Sequence, residues 1–93
     1  MDTQNDMVRA DHRMLQALRH SQTVVGVKQL KKALKIGSVR QVFLAEDADP
    51  AITEPIAEIC QRYKIQCVWV CSMKDLGNAC GIDVGAAAAA AVT

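Results

Sequence analysis

Ninety-three residues suffice for one domain with a modest core, burying about 60–68% of its unfolded surface. With 51% apolar and 23% charged residues the chain reads as globular rather than disordered. Its net charge of +1 excludes a non-specific polycation, so any affinity for nucleic acid must come from charge segregated onto one face.

Residues 1–10 are polar and are expected to fray, up to about Asp11. Asp11 to His20 reads as a short helix, with Asp11 as N-cap and Met14, Leu15 and Leu18 facing inward. Thr23 to Gly26 is a brief β-branched strand leading into a lysine-rich helix that ends at Gly37, the usual position for a left-handed residue. Val39 to Ala45 is a buried strand. Glu46 to Pro50 is a loop that becomes a helix start, with Asp49 as cap and Pro50 in the first helical position. That helix runs to about Tyr63 on an apolar face of Ile52, Ile56, Ile59 and Cys60. Gln66 to Cys71 is a third strand. Ser72, with Asp75 three residues on, has the pattern of a capping box for a fourth helix that runs to Cys80 and closes on Gly81.

The tail sets two rules against each other. Ala86 to Ala91 are six alanines, which by propensity alone form helix. The alternation of helices and strands calls for a strand there, and small residues suit a strand buried between two layers. We read it as a strand. The resulting order predicts an α/β fold with helices on both faces of a small sheet.

The lysine helix carries the strongest functional signal. Lys28, Lys31, Lys32 and Lys35 fall at i, i+3, i+4 and i+7 and so stack on one face, opposite a stripe of Val27, Leu30 and Leu34. From Gly26 to Arg40 there are five basic residues and no acidic one. Like charges at these offsets weaken a helix unless something anionic meets them. The helix start after Gly26 offers free N–H groups and a positive dipole end to phosphate. Elsewhere Glu46, Asp47, Asp49, Glu54 and Glu58 cluster with no basic residue between them, which predicts a separate acidic side.

Three segments together resemble the kink-turn RNA-binding family of ribosomal protein L7Ae. They are Gly26 to Lys32, the Leu44-Ala45-Glu46-Asp47-Ala48-Asp49-Pro50 loop, and Leu76-Gly77-Asn78-Ala79-Cys80-Gly81-Ile82-Asp83-Val84-Gly85-Ala86-Ala87. The resemblance spans Val24 to Val92 and is nearest to the small bacterial, ribosomal-protein-like branch, which carries Lys-Gln where archaeal and eukaryotic members carry Asn-Glu. It implies a three-layer α/β/α sandwich on a small mixed four-stranded sheet. It also implies binding to RNA with a sharp bend, where tandem sheared G·A pairs flank a three-nucleotide bulge.

Carried over by position, Gly26 is the turn glycine that lets backbone approach RNA, and Val27 follows it into the helix. Lys28 and Gln29 replace the Asn-Glu pair that faces the sheared guanines. Lys32 matches a lysine near the kink, and Lys31 stands where other members often have Thr. Lys31 and Lys35 are expected to supply field and orientation. Ile82, Asp83 and Val84 match the loop that packs on a flipped-out nucleotide. By themselves Ile82 and Val84 read equally well as core side chains.

Other chemistries are weaker. No P-loop, GxGxxG or triad is present, and His12 and His20 pair with no nucleophile pattern, so an enzyme is not expected. Glu46, Asp47 and Asp49 are a possible Mg²⁺ cluster, but Asp49 serves better as a helix cap. Cys60, Cys67, Cys71 and Cys80 match no zinc spacing and read as core thiols, with Cys67 and Cys71 on one strand face with Trp69. Phe43, Tyr63 and Trp69 are read as core, which disfavours an aromatic stacking platform. No cofactor or metal is expected. The first twenty residues lack an apolar leader and no charge-free stretch is long enough to span a bilayer, so a cytoplasmic monomer off the membrane is expected, with the ribosome or another ribonucleoprotein as its candidate setting. The alternative is a protein-interaction or scaffold module, with the acidic Pro50 to Lys64 helix as its surface.

Overall fold

The computed structural model describes residues 8–92. Its elements are β1 (Val8–Arg9), α1 (His12–Arg19), β2 (Thr23–Val25), α2 (Val27–Ile36), β3 (Val39–Ala45), α3 (Pro50–Tyr63), β4 (Gln66–Val70), α4 (Met73–Ala79) and β5 (Ala88–Val92). The strands form one mixed sheet in the order β1-β4-β3-β5-β2. β4 pairs in parallel with β1 and β3, while β5 runs antiparallel to β3 and β2.

The sheet therefore has five strands, not the expected four. The extra one is β1, which lies within the stretch expected to fray. Val8 and Arg9 pair with Val68 and Trp69, and the Ala10 N–H donates to the Trp69 carbonyl at 2.8 Å. The rest of that stretch lies outside the described residues.

Local signals in the sequence become the element boundaries. The Asp11 carboxylate accepts from the Met14 N–H at 2.9 Å, and Asp49 accepts from the Ala51 N–H at 2.9 Å with Pro50 starting α3. Ser72 Oγ accepts from the Asp75 N–H at 3.0 Å. Gly37 ends α2 in the left-handed region, with φ +83°, and its N–H donates to the Ala33 carbonyl at 3.0 Å. β2 stops at Val25, β4 at Val70 and α4 at Ala79, one residue short of each expected end, because Gly26 is the N-cap of α2, Cys71 turns away and Cys80 is the C-cap of α4.

Two apolar clusters lie on opposite faces of the sheet. Leu18 of α1 and Leu76 of α4 cover Phe43, Ala45, Val68, Val70, Ala89 and Ala91. Leu30 and Leu34 of α2, with Ile56 and Cys60 of α3, cover Val42, Leu44, Ala88 and Ala90. Successive residues of β3 and β5 alternate between the clusters, as strand geometry requires. Fully burying a side chain such as Phe43, Leu30 or Leu76 contributes about 1.5–3 kcal/mol.

The alanine tail is a strand from Ala88, two residues later than expected, against its propensity. Ala89 sits beside Phe43 on one side and Val25 on the other, and Ala90 sits between Val42 and Val24. Small side chains opposite large ones let helices close on both faces of this inner strand. Other inward assignments fail. Ile52 faces out on α3, and Thr53 occupies the buried position instead. Tyr63 is 56% exposed, because it closes the last turn of α3. Cys71 is exposed beyond the end of β4, away from Cys67 and Trp69, which pack on the α2/α3 side.

If β5 is packed this closely, Ala90→Leu pushes against Leu30 and Leu34 and destabilises the fold by about 1–3 kcal/mol. Urea denaturation should show a lower midpoint with an unchanged slope, and an unchanged midpoint would contradict the packing.

Candidate nucleic-acid interface

The strand directions bring several loops to one end of the sheet. β2, β3 and β4 all finish where β5 begins. The Gly26 N–H donates to the Ala88 carbonyl at 3.0 Å, and the Ala45 N–H donates to the Ala87 carbonyl at 3.0 Å. The turn into the lysine helix thus abuts the segment entering β5.

Gly26 has φ +102° and ψ 151°, a conformation that L residues rarely adopt. As N-cap it has no side chain to bond the first-turn N–H groups, which keep the positive end of the helix dipole uncovered. A Cβ at Gly26 would sit 3.0 Å from Gln29 Oε1, so the Gln29 amide folds back over the turn. Leu30 and Leu34 are buried and Val27 is half-buried, which turns Lys28, Gln29, Lys31, Lys32 and Lys35 to solvent. No lysine of α2 forms an ion pair among the described residues. Lys28 and Gln29 are in the first turn, and Lys35 lies about 10 Å further along at the far end.

The Ile82–Val84 segment runs back along α4. The Ile82 N–H donates to the Gly77 carbonyl and the Ala86 N–H donates to the Met73 carbonyl, each at 3.0 Å. A Cβ on Gly77 would lie 2.0 Å from the Val84 carbonyl oxygen, so only glycine permits this approach. Ile82 is half-buried against the α1/α4 core, whereas Asp83 is exposed and Val84 is 69% exposed. The two apolar residues that read alike in sequence therefore separate, one anchoring the loop and the other facing out.

The acidic loop is not free of basic partners. Arg9 of β1 pairs with Glu46 at 3.1 Å, a contact the sequence did not disclose because the strand holding Arg9 is too short to show periodicity. Asp47 was also missed. Its carboxylate accepts from the Met73 N–H at 2.8 Å, across 26 positions of chain. Nothing local to either segment signals that bond.

Two of the four thiols, Cys67 and Cys80, are poorly suited to chemistry. A hydrogen bond with Cys60, then burial, pushes the Cys67 thiol far above the ordinary range. Burial also raises Cys80. Thiols held protonated are poor nucleophiles and poor metal ligands. No group of three or more His, Cys, Asp or Glu side chains among the described residues is placed to hold a metal ion. None of the described helices is long and apolar enough to cross a membrane.

These features define a class: a small α/β/α domain that presents a glycine-opened basic helix beside a pinned loop. The chain belongs to the Ribosomal protein L7Ae/L30e/S12e/Gadd45 family, whose model matches residues 9–93. It is 49% identical over 67 residues to an RNA-binding protein of Bacillus pumilus (strain SAFR-032), covering 72% of this chain and 82% of that one. It is 44% identical over 73 residues to RNA-binding protein YbxF of Geobacillus stearothermophilus, covering 78% and 89%. Among solved structures, the Giardia lamblia 15.5kD RNA binding protein superposes with TM-score 0.80 at 23% identity, covering 91% of this chain and 78% of that one. A protein of unknown function from Bacillus halodurans C superposes with TM-score 0.80 at 24% identity, covering 89% and 87%. Both superpositions speak for the fold.

The contact at Gly77 is directly testable. Gly77→Ala should displace the Val84 backbone and lower stability by about 1–3 kcal/mol. A thermal melt gives the stability, and amide chemical shifts at residues 82–85 report the displacement. A variant with native melting and native shifts would contradict the close approach.

Proposed function

We propose that this chain binds RNA and that its target is a kink-turn, held between the start of α2 and the Ile82–Val84 loop. The observation that carries the reading is the exposed ladder of Lys28, Lys31, Lys32 and Lys35, which has no ion-pair partner among the described residues and begins at the uncapped Gly26 turn. Family membership and the RNA-binding relatives support it.

In this reading the roles divide by position. Gly26 lets the backbone approach RNA, and Val27 fixes the first turn against the core. Lys28 donates to guanine O6 or N7 at the sheared pairs. Gln29, uncharged, both accepts and donates there, where a Glu would only accept. Lys32 meets phosphate near the kink, while Lys31 and Lys35 supply field along the stem. Val84 packs on the extruded base, with Ile82 anchoring and Asp83 flanking it. Sequence-specific RNA recognition favours such distorted sites, because the deep groove of regular A-form RNA is closed to side chains. The chain acts as one domain, as a monomer and without a cofactor, on RNA of a ribosome or another ribonucleoprotein.

A gel shift comparing a kink-turn RNA with the same helix after disruption of its G·A pairs tests the reading. Preference for the intact kink-turn by at least about tenfold, or 1.4 kcal/mol, is expected. Equal binding would contradict it. Lys32→Ala should weaken binding and lower the slope of log affinity against log salt by about one. Gly26→Val should weaken binding and also lower stability, because φ +102° is strained for any L residue, and a variant of native stability would contradict that turn geometry.

A further inference from the structure

Asp47 is an odd neighbour for an RNA site. It belongs to the acidic β3–α3 loop, at the same end of the sheet as the Gly26 turn and the start of β5. Simple electrostatics says that a carboxylate there repels phosphate, so that removing it should tighten binding. Its hydrogen bond says otherwise.

Asp47 accepts from the Met73 N–H at 2.8 Å, at the first residue of α4. Met73 is also where the segment leading to β5 is fastened. Its carbonyl accepts from the Ala86 N–H at 3.0 Å, and its Cβ lies 3.1 Å from where a Cβ on Gly85 would be. Four residues on, Gly77 meets the Val84 carbonyl and accepts from the Ile82 N–H. The 82–84 loop, with Asp83 and Val84 exposed, is therefore tied to α4 at both ends. α4 is in turn tied to the β3–α3 loop through Asp47, and that loop is held to the sheet by the Glu46 N–H, which donates to the Val70 carbonyl at 2.8 Å. Ser72 caps the same helix through the Asp75 N–H, so the two caps serve different donors.

We propose that Asp47 is a positioning residue for the RNA site: through Met73 it sets where α4 holds the Ile82–Val84 loop. This rests on the kink-turn reading above. The role needs a hydrogen-bond acceptor and not a charge. Asn and Asp cap helix starts about equally well, whereas Ala does not cap. The two substitutions therefore separate positioning from charge.

The test measures kink-turn RNA affinity for Asp47→Ala, Asp47→Asn and the unchanged protein, together with amide hydrogen exchange in the absence of RNA. Asp47→Ala should bind about 3- to 10-fold more weakly, the range expected when one helix cap is lost, although it removes a negative charge. Asp47→Asn should recover affinity to within about twofold of the unchanged protein. In Asp47→Ala the Met73 and Ala86 amides should exchange faster while those of Val68 and Ala90 in the sheet do not, which separates loosening of this corner from general unfolding. Unchanged or tighter binding by Asp47→Ala overturns the proposal, as does an Asp47→Asn that binds as weakly as Asp47→Ala. Uniformly faster exchange across the sheet overturns it too, making Asp47 a plain stability residue. Should the unchanged protein not distinguish the kink-turn from its disrupted control, the kink-turn reading itself falls, a result distinct from all of these.

Discussion

An inner strand made of alanine is the constraint on which the rest of the molecule depends. Ala88 to Ala91 are buried on both faces, and their strand is hydrogen-bonded on both sides, to β3 and β2. Larger side chains there would hold the two helical layers apart. Alanine lets Leu30 and Leu34 close from one side and the α1/α4 core from the other. The same strand runs opposite to its neighbours, so it starts where β2 and β3 stop. That places the opening turn of the lysine helix beside the segment leaving the 82–84 loop. The packing solution and the placement of the candidate interface are thus one arrangement.

The charge distribution carries the rest of the argument. Like-charged neighbours on a helix each cost a few tenths of a kcal/mol, and the lysines of α2 meet each other with no acidic partner among the described residues. Burial of Leu30 and Leu34 easily outweighs that cost. The unfavourable face is thus affordable to the fold and informative about its partner: an anion that displaces water and counterions from the ladder relieves the repulsion. Within the acidic loop Glu46 is paired with Arg9, while Asp47 and Asp49 keep their charge but are oriented toward helix-start N–H groups.

Most of the fold was legible in the sequence because its signals were local. Asp11, Asp49, Ser72 and Gly37 act within one helical turn of their own position, and each marks the boundary it was read to mark. The alanine strand was legible only by setting topology above propensity. What the sequence concealed was contact between distant segments. β1 is a two-residue strand in a polar stretch and exists by pairing with β4. Asp47 reaches Met73, and Arg9 reaches Glu46, with no pattern to announce either. On α3, Thr53 shares the buried stripe of Ile56 and Cys60 at i, i+3 and i+7, but its polarity hid it in the sequence, while the apolar Ile52 falls one position outside that stripe. The lysine ladder was readable in full, while the division of labour between Ile82 and Val84 required the close approach at Gly77.

The central claim is that this surface holds RNA in a bent form, and bending is itself measurable. A kink-turn RNA carrying a donor and an acceptor dye on its two arms, kept in a buffer where the free RNA is extended, reports the bend as energy transfer. Titration with the protein should raise transfer to saturation at one protein per RNA. The same RNA with its G·A pairs disrupted should stay extended. Binding without a rise in transfer, or an equal rise on both RNAs, would contradict the account.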